Sequence, residues 1–249
     1  MLFEFFTAYR NLKKNMAGIE RARHLDPVMA AYRAGQYGRA LALNTDPFLR
    51  AEILIQLDRA AEGEQVLRQM AAIEQQPKLM ALIQSSLGNV LMFQKRYDEA
   101  MECFQRALGS WPERGSTHRA IAEYWLRRGD NPAEALRWAR LAVEKENAGP
   151  GLSEDSKAIC LGEDLATLAW AVAVHLKDGA EVDRLSELVA FPAITPMSSL
   201  AMSSFHFGMA WAALGDASRS AIYFELTLSR DRTGVWGREA ASMMATSPK

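Results

Sequence analysis

Apolar residues recur at intervals of three and four through most of the chain, which is the period of an α-helix with one buried face. In the segment Ala81–Arg114 the pattern runs through Leu87, Leu91 and Phe104, and it breaks once, just before Tyr97. No run of alternating β-branched residues is long enough to predict a strand. The pattern therefore predicts an all-α protein whose helices follow one another closely.

The same pattern returns along the chain at nearly constant spacing. Shifts of 34, 37 and 120 residues bring small residues under Gly88 and large residues under Leu91: Ala122 with Trp125, Ala51 with Leu54, and Gly208 with Trp211. Small residues let two helices approach closely, and large residues fill the space between successive pairs. One pair cannot bury its apolar face alone, so the pairs are expected to stack.

These residues resemble the tetratricopeptide repeat family. The best unit is Ala81–Arg114, and three more degenerate units lie near Asn44–Pro77, Gly115–Ala148 and Ala201–Arg232. The resemblance implies a right-handed superhelical solenoid of antiparallel helix pairs. The segment Val235–Ala245 is expected to form a terminal capping helix.

Four segments make up the predicted organisation. They are an N-terminal amphipathic helix over residues 1–25, tetratricopeptide-like repeats over 26–148, an atypical helical pair over 149–196, and a C-terminal repeat with its capping helix over 197–249. The turn of the atypical pair is predicted at Lys177–Gly179, and the run Gly149–Gly151 is the best candidate for a break in the stack.

Helix starts are marked by capping residues. Four dipeptides place a capping side chain before a proline: Asp26-Pro27, Asp46-Pro47, Asn131-Pro132 and Thr195-Pro196. Proline suits the first helical position, because the missing N–H has no partner there in any case. Ser110 with Glu113 has the spacing of a capping box, and Ser153 precedes an acidic first turn.

Composition and charge exclude several classes of protein. Apolar residues make up 49% of the chain and charged residues 24%, which is an ordinary globular balance. The 29 Lys and Arg residues against 30 Asp and Glu residues provide no basic field for nucleic acid. The apolar run Leu165–Leu176 is shorter than the roughly 20 residues of a membrane span, so a buried helix is predicted. Cys103 and Cys160 form no CxxC pair, which predicts free buried thiols and a cytoplasmic location.

Catalytic and metal-binding motifs are absent from the sequence. There is no phosphate-binding loop, no HExxH and no GxSxG. His24, His118, His175 and His206 lie on four different predicted helices, and none has the spacing of a shared metal site. The acidic pair Glu163-Asp164 has the residue types of acid–base chemistry, but a structural role is favoured. We therefore expect no enzyme activity, no metal and no cofactor.

The N-terminal segment has an aromatic-rich face, formed by residues that recur at helical spacing: Leu2, Phe5, Phe6, Tyr9, Leu12 and Met16. A helix that caps the first repeat is the favoured interpretation. Two others stay open, in which residues 1–16 dock on a partner protein or lie in a membrane interface beside Lys13-Lys14.

The resemblance implies a protein-interaction scaffold that binds a peptide or partner helix in its concave groove. Two alternatives stay open: an enzyme or accessory subunit using the atypical region, and a structural protein that self-assembles into a homo-oligomer. The groove would be lined by Phe48, Glu52, Ser85, Asn89, Met92, Phe93, Arg119, Glu123 and Arg127.

The lining residues carry two more detailed expectations. Ser85 stands where relatives that bind a C-terminal carboxylate have Lys, so that activity is not expected. Asn89 and Arg119 are predicted to project into solvent beside an exposed Met92 and Phe93. The alternative is that Arg119, Glu123 and Arg127 form ion pairs along one helix face.

Overall fold

The computed structural model describes residues 26–44, 46–148 and 153–246. All regular structure in these ranges is helical, as predicted. The helices are α1 (Pro27–Arg33), α2 (Tyr37–Leu43), α3 (Pro47–Gln56), α4 (Ala60–Ile73), α5 (Pro77–Phe93), α6 (Tyr97–Ser110), α7 (Gly115–Arg128), α8 (Pro132–Ala148), α9 (Glu154–His175), α10 (Gly179–Leu188), α11 (Met197–Ala213), α12 (Ala217–Arg230) and α13 (Val235–Thr246). The predicted helix over 1–25 and the run Gly149–Gly151 lie outside the described residues.

The described residues up to Pro112 form one compact unit, and those from Glu113 onward form a second. In the first unit, the described helices pack as the pairs α1/α2, α3/α4 and α5/α6. In the second unit they pack as α7/α8, α9/α10 and α11/α12, and α13 packs on α11 and α12. Within each unit, successive pairs pack through the second helix of one pair and the first helix of the next, as α2 does on α3, α4 on α5 and α8 on α9. In the second unit α9 also lies between the first helices α7 and α11. The helix pairs and the terminal helix predicted from the sequence are therefore confirmed.

Each turn within a pair contains one residue in the left-handed conformation. These residues are Gly35, Asp58, Lys95, Gly129, Lys177 and Gly215, with φ between 56° and 80°. A single left-handed residue after a helix reverses the chain within a few residues, and glycine adopts it without steric cost. The turn predicted at Lys177–Gly179 is one of the six.

Small residues sit where two helices of a pair cross. A Cβ on Gly88 would lie 2.7 Å from Cδ1 and 2.9 Å from Cζ of Phe104, and nearer still to Cε1. A Cβ on Gly208 would lie 2.6 Å from Cε1 of Phe224. Each ring belongs to the second helix of the same pair, so the predicted role of small residues at these crossings is confirmed.

Three of the four predicted proline caps are confirmed. Asp26 accepts hydrogen bonds from the backbone N–H groups of Val28 and Met29, and Asp46 does the same for the two residues after Pro47. The Asn131 side chain accepts from the Glu134 N–H at 3.2 Å. Ser153 also caps its helix, by accepting from the Ser156 N–H.

Two predicted helix starts are wrong. Pro196 is the capping residue of α11 rather than its first helical residue, and the Thr195 hydroxyl instead donates to the carbonyl of Pro192 at 2.6 Å. Ser110 is the last residue of α6, and α7 begins later, at Gly115. The capping-box spacing of Ser110 and Glu113 therefore falls across a helix end, where it has no helix to cap.

Helix α9 forms a large part of the core of the second unit. It is the one helix, within 26–44, 46–148 and 153–246, that is long and apolar enough to cross a membrane by length and composition. Inside the protein, 72% of its most apolar stretch is buried. The prediction that Leu165–Leu176 belongs to a buried helix is confirmed.

Candidate site on the first helices

Buried charged side chains lie between the first helices of the second unit. The Arg119 guanidinium on α7 is fully buried, and it donates from Nε to Asp164 Oδ1 and from Nη2 to Glu163 Oε2, each at 2.7 Å. Both acceptors are on α9 and equally buried. A buried guanidinium is tolerated only when its charge and its N–H groups are matched in this way.

The expectation that Arg119 projects into solvent is wrong. Its carboxylate partners come from the next helix pair, so the side chain points into the unit. The alternative of ion pairs along one helix face is right for Glu123 and Arg127, because Arg127 Nε donates to Glu123 Oε1 at 2.8 Å one turn away. It is wrong for Arg119, whose partners lie on another helix.

Glu123 stays ionised although its side chain is fully buried. Burial alone would raise the pKa of its carboxyl, but the Arg127 charge and the His206 contact outweigh burial and lower the pKa to about 2. Arg127 also donates to Glu239 Oε2 on α13 at 3.2 Å. One guanidinium thus joins a buried carboxylate to one that is 36% exposed.

His206 on α11 is fully buried and lies against a hydroxyl of α9. The Thr167 hydroxyl lies 3.0 Å from the carbonyl oxygen of Glu163, to which it can donate, and 3.0 Å from His206 Nδ1. Its single proton serves one of these two acceptors, so the contact does not fix which ring nitrogen carries the proton in the neutral imidazole. Burial lowers the pKa of His206 below its ordinary value, which favours this neutral form.

His206 Nε2 and Glu123 Oε2 face each other 3.9 Å apart. This distance is longer than that of a direct hydrogen bond, but the imidazole beside the carboxylate helps to lower the pKa of Glu123. We call Glu123, Thr167, Trp170, His206 and Trp236 the His206 site.

Aromatic rings line the His206 site. The imidazole packs against Trp170 of α9 and Trp236 of α13, with ring centroids 5.3 Å apart in both cases. Phe205 packs on both indoles, at 6.4 and 5.6 Å. The polar atoms of His206 and Glu123 are therefore enclosed by apolar walls, where a hydrogen bond or an ion pair is stronger than in water.

In the first unit, the predicted lining residues are also largely buried. Phe48, Glu52, Ser85 and Met92 are at most 2% exposed, and Asn89 is 7% exposed. Phe93 is half-buried. The expectation that Asn89, Met92 and Phe93 are exposed is therefore wrong. The reason is that α3 and α5 are buried on nearly every face, including the face that carries these residues.

Glu52 is a buried carboxyl with one hydrogen-bond donor. The Ser86 hydroxyl on α5 donates to Glu52 Oε1 at 2.8 Å. Burial raises the pKa of Glu52 to about 7, although this hydrogen bond acts in the opposite direction. Glu52 therefore titrates near neutral pH, in contrast to Glu123, which has a guanidinium beside it.

Sequence reasoning singled out Arg119, Glu123 and Arg127 but missed their partners. The sequence predicts no metal site at His206 and favours a structural role for Glu163-Asp164, but it does not indicate which side chains they contact. One signal was available, because Glu163 and Asp164 interrupt an otherwise apolar helix. A charged pair in a helix that is buried on both sides requires a buried cation opposite it.

No group of three His, Cys, Asp or Glu side chains with the arrangement of a metal site occurs in the described ranges. Cys103 and Cys160 are buried free thiols, as predicted. Burial raises the pKa of Cys103.

Comparisons with known proteins gave structural matches alone. No protein-family model matches the chain, and no curated protein matches it. Among solved structures, BtubC (BKLC) from P. vanneervenii is similar with 14% identity and a TM-score of 0.49, over 94% of this chain and 95% of that one. YrrB, described as a TPR protein with an unusual peptide-binding site, is similar with 14% identity and a TM-score of 0.38, over 83% of this chain and 97% of that one.

The described helices themselves have the arrangement of tetratricopeptide repeats. They form pairs with short turns and small residues at the crossings, and successive pairs pack on one another within each unit. The described part of the chain is thus all-helical, and it is built from antiparallel helix pairs that resemble tetratricopeptide repeats.

Proposed function

We propose that this chain is a non-enzymatic scaffold that binds a peptide or partner helix along the first helices of its pairs, in the cytoplasm. The proposed contacts are Phe48, Glu52, Ser85, Asn89, Met92 and Phe93 in the first unit and Glu123 and Arg127 in the second. Arg119 is left out of this set, because its guanidinium is bound to Glu163 and Asp164. Buried polar groups on the first helices support the proposal. The hydroxyls of Ser85, Ser116, Ser198 and Ser203 have no hydrogen-bond partner among the described residues.

Unsatisfied buried polar groups are costly. Each costs about 1–3 kcal/mol, and native proteins contain few of them. A peptide supplies one N–H donor and one C=O acceptor per residue, so a bound segment can satisfy several hydroxyls at once. Ser85 lies on α5 in the first unit and Ser203 on α11 in the second unit, so substitutions at these two positions test partner binding at each unit separately.

The test begins with affinity capture by the full-length chain in an extract of its native cells, followed by affinity measurements on the purified partner. Ser85→Ala and Ser203→Ala each remove one hydroxyl and add no atom to the buried site. We expect at least one of them to bind about 5- to 10-fold more weakly, as for the loss of one hydrogen bond. The matched control is Ser229→Ala on the exposed side of α12, which should bind as the wild type does.

Two results would contradict the proposal. One is the capture of no specific partner. The other is wild-type affinity of both first-helix variants, which would place the partner on another surface.

A further inference from the structure

We propose that residues 1–16 of this chain dock on α3 of the first unit and so occupy the surface that the partner is proposed to bind. The inference goes beyond the proposed function, because it names a competitor for that surface within the chain itself. Only the competition rests on the proposed function, since the docking can be measured without a partner. It starts from a face of α3 that is buried although no closely packed described helix covers it.

This face carries Leu49, Ile53 and Gln56, and we call it the α3 stripe. At 3.6 residues per turn, the three side chains lie within about 60° of one another around the helix axis. They lie on the side away from Ile55, whose Cγ1 would be 3.4 Å from a Cβ on Gly63 of α4. Each residue of the stripe is at most 1% exposed.

The neighbours of α3 leave the stripe without a cover. The described helices that pack most closely on α3 are α2, α4 and α5. On one side the stripe ends at Glu52, whose carboxylate accepts a hydrogen bond from Ser86 of α5. On the other side it ends at Arg50, which is exposed. A stripe between a helix contact and an exposed residue is buried only where a further segment lies on it.

The N-terminal segment is the occupant that the chain offers. The stripe is buried in a single copy of the chain, so its cover belongs to the same chain. Of the residues outside the described ranges, only 1–25 form a stretch long enough to cover a helix face. This stretch leads directly into α1 of the same unit.

Length and connection allow this docking. A helix over the fifteen residues 2–16 is about 22 Å long, against about 15 Å for the ten residues of α3. The nine residues 17–25 then connect it to α1 and span up to about 30 Å when extended. Packed helices lie about 8–10 Å apart, so the connection reaches α3 without strain.

The chemistry of the two faces matches, but not completely. The aromatic-rich face of the segment buries its apolar area on Leu49 and Ile53. Its one side-chain donor is the Tyr9 hydroxyl, whereas Glu52 Oε2 and the Ser85 hydroxyl on α5 are buried without a hydrogen-bond partner among the described residues. A partner that supplies donors to these groups therefore has an advantage over the segment.

The first test locates the segment in the full-length wild-type background. The photo-crosslinking residue p-benzoylphenylalanine replaces Phe5, in the middle of the aromatic-rich face, and in a matched control it replaces Thr7, on the opposite face. After irradiation of the monomer, mass spectrometry maps the adducts. We expect the label at position 5 to form intramolecular adducts with residues Pro47–Gln56 of α3 and the label at position 7 to form none there.

The second test measures the occupancy with a fluorescent synthetic peptide of residues 1–25. The full-length double variant Phe5→Glu with Tyr9→Glu releases its own segment and leaves the stripe open. We expect it to bind the peptide about 10-fold more tightly than the wild type does, as for a site that the segment occupies in about nine molecules of ten. Thr7→Glu with Asn11→Glu adds the same charge on the opposite face and should bind as the wild type does.

Either of two results overturns the inference. One is a set of position-5 adducts that lies outside α3, on α1 or α2 as for a cap on the first pair, or between two molecules. The other is equal peptide affinity of the wild type and the Phe5→Glu, Tyr9→Glu variant. Neither test uses a partner, so a scaffold whose segment does not dock is distinguished from a chain that captures no partner.

Discussion

Replacing Gly88 by Ala should destabilise the first unit, although alanine is the better helix former. The added Cβ would lie 2.7 and 2.9 Å from two ring atoms of Phe104 and closer to a third. Carbon atoms in van der Waals contact are about 3.5–4.0 Å apart. The ring cannot move away freely because Phe104 is fully buried.

The magnitude follows from two opposing contributions. Overpacking a close-packed crossing costs about 1–3 kcal/mol. Gly to Ala in a helix interior gains roughly 0.5–1 kcal/mol. We therefore expect Gly88→Ala to lower the free energy of unfolding by about 1–2 kcal/mol. Gly109→Ala, in the partner helix α6, is the matched control, because its Cβ would meet nothing within 4 Å.

Equilibrium urea unfolding followed by far-ultraviolet circular dichroism measures both variants. The expected result is a lower midpoint for Gly88→Ala and an equal or higher midpoint for Gly109→Ala. A Gly88→Ala midpoint at or above that of the wild type would refute the close approach of α5 and α6 at this crossing.

Three further predictions concern the buried charges. Glu52→Gln should stabilise the protein at pH 8 by up to about 3 kcal/mol. The pKa of Glu52 is about 7 in the folded protein against an ordinary value of 4.5, so the stability of the wild type falls as the pH rises between these two values. Urea unfolding at pH 8 and at pH 4.5, where the gain should vanish, checks this. Arg119→Met should cost about 3–5 kcal/mol by leaving two buried carboxylates on α9 without their guanidinium, whereas Arg106→Met, at an exposed pair, should change the thermal midpoint little. Since the pKa of His206 is lowered in the fold, acidification below about pH 6.5 should destabilise the wild type more than His206→Gln, which a pH series of thermal melts would show.

The helix pairs could be predicted because their determinants are local. The spacing of small residues such as Gly88 and Gly208 reports the crossing within one pair, and a proline after Asp26 or Asp46 reports a helix start a residue away. The prediction at Thr195 is wrong because the dipeptide Thr195-Pro196 looks like a helix cap when only its own two residues are considered. In the folded protein the Thr195 hydroxyl donates instead to the backbone carbonyl of Pro192, three residues earlier in the chain.

The candidate site could be predicted only in part, because it depends on residues far apart in the sequence. Arg119 meets carboxylates 44 and 45 positions later in the chain. The His206–Glu123 contact likewise joins two different helix pairs. The periodicity that identifies a helix face does not say which face of the next pair lies against it. For this reason the sequence alone predicts that Arg119, Glu123 and Arg127 line a solvated groove, whereas in the structure they belong to a network of buried ion pairs.

The left-handed turns imply that the stability of this protein can be raised by substitutions within the turns. Glycine occupies that position in three turns, but Asp58, Lys95 and Lys177 occupy it in the other three. A side chain with a Cβ in this conformation costs about 1–2 kcal/mol. Glycine at each of these three positions would relieve that strain, offset in part by the greater freedom that it gives the unfolded chain. Because the turns lie outside the packed helix faces, an engineer could raise the melting temperature there without altering a single residue proposed to contact the partner.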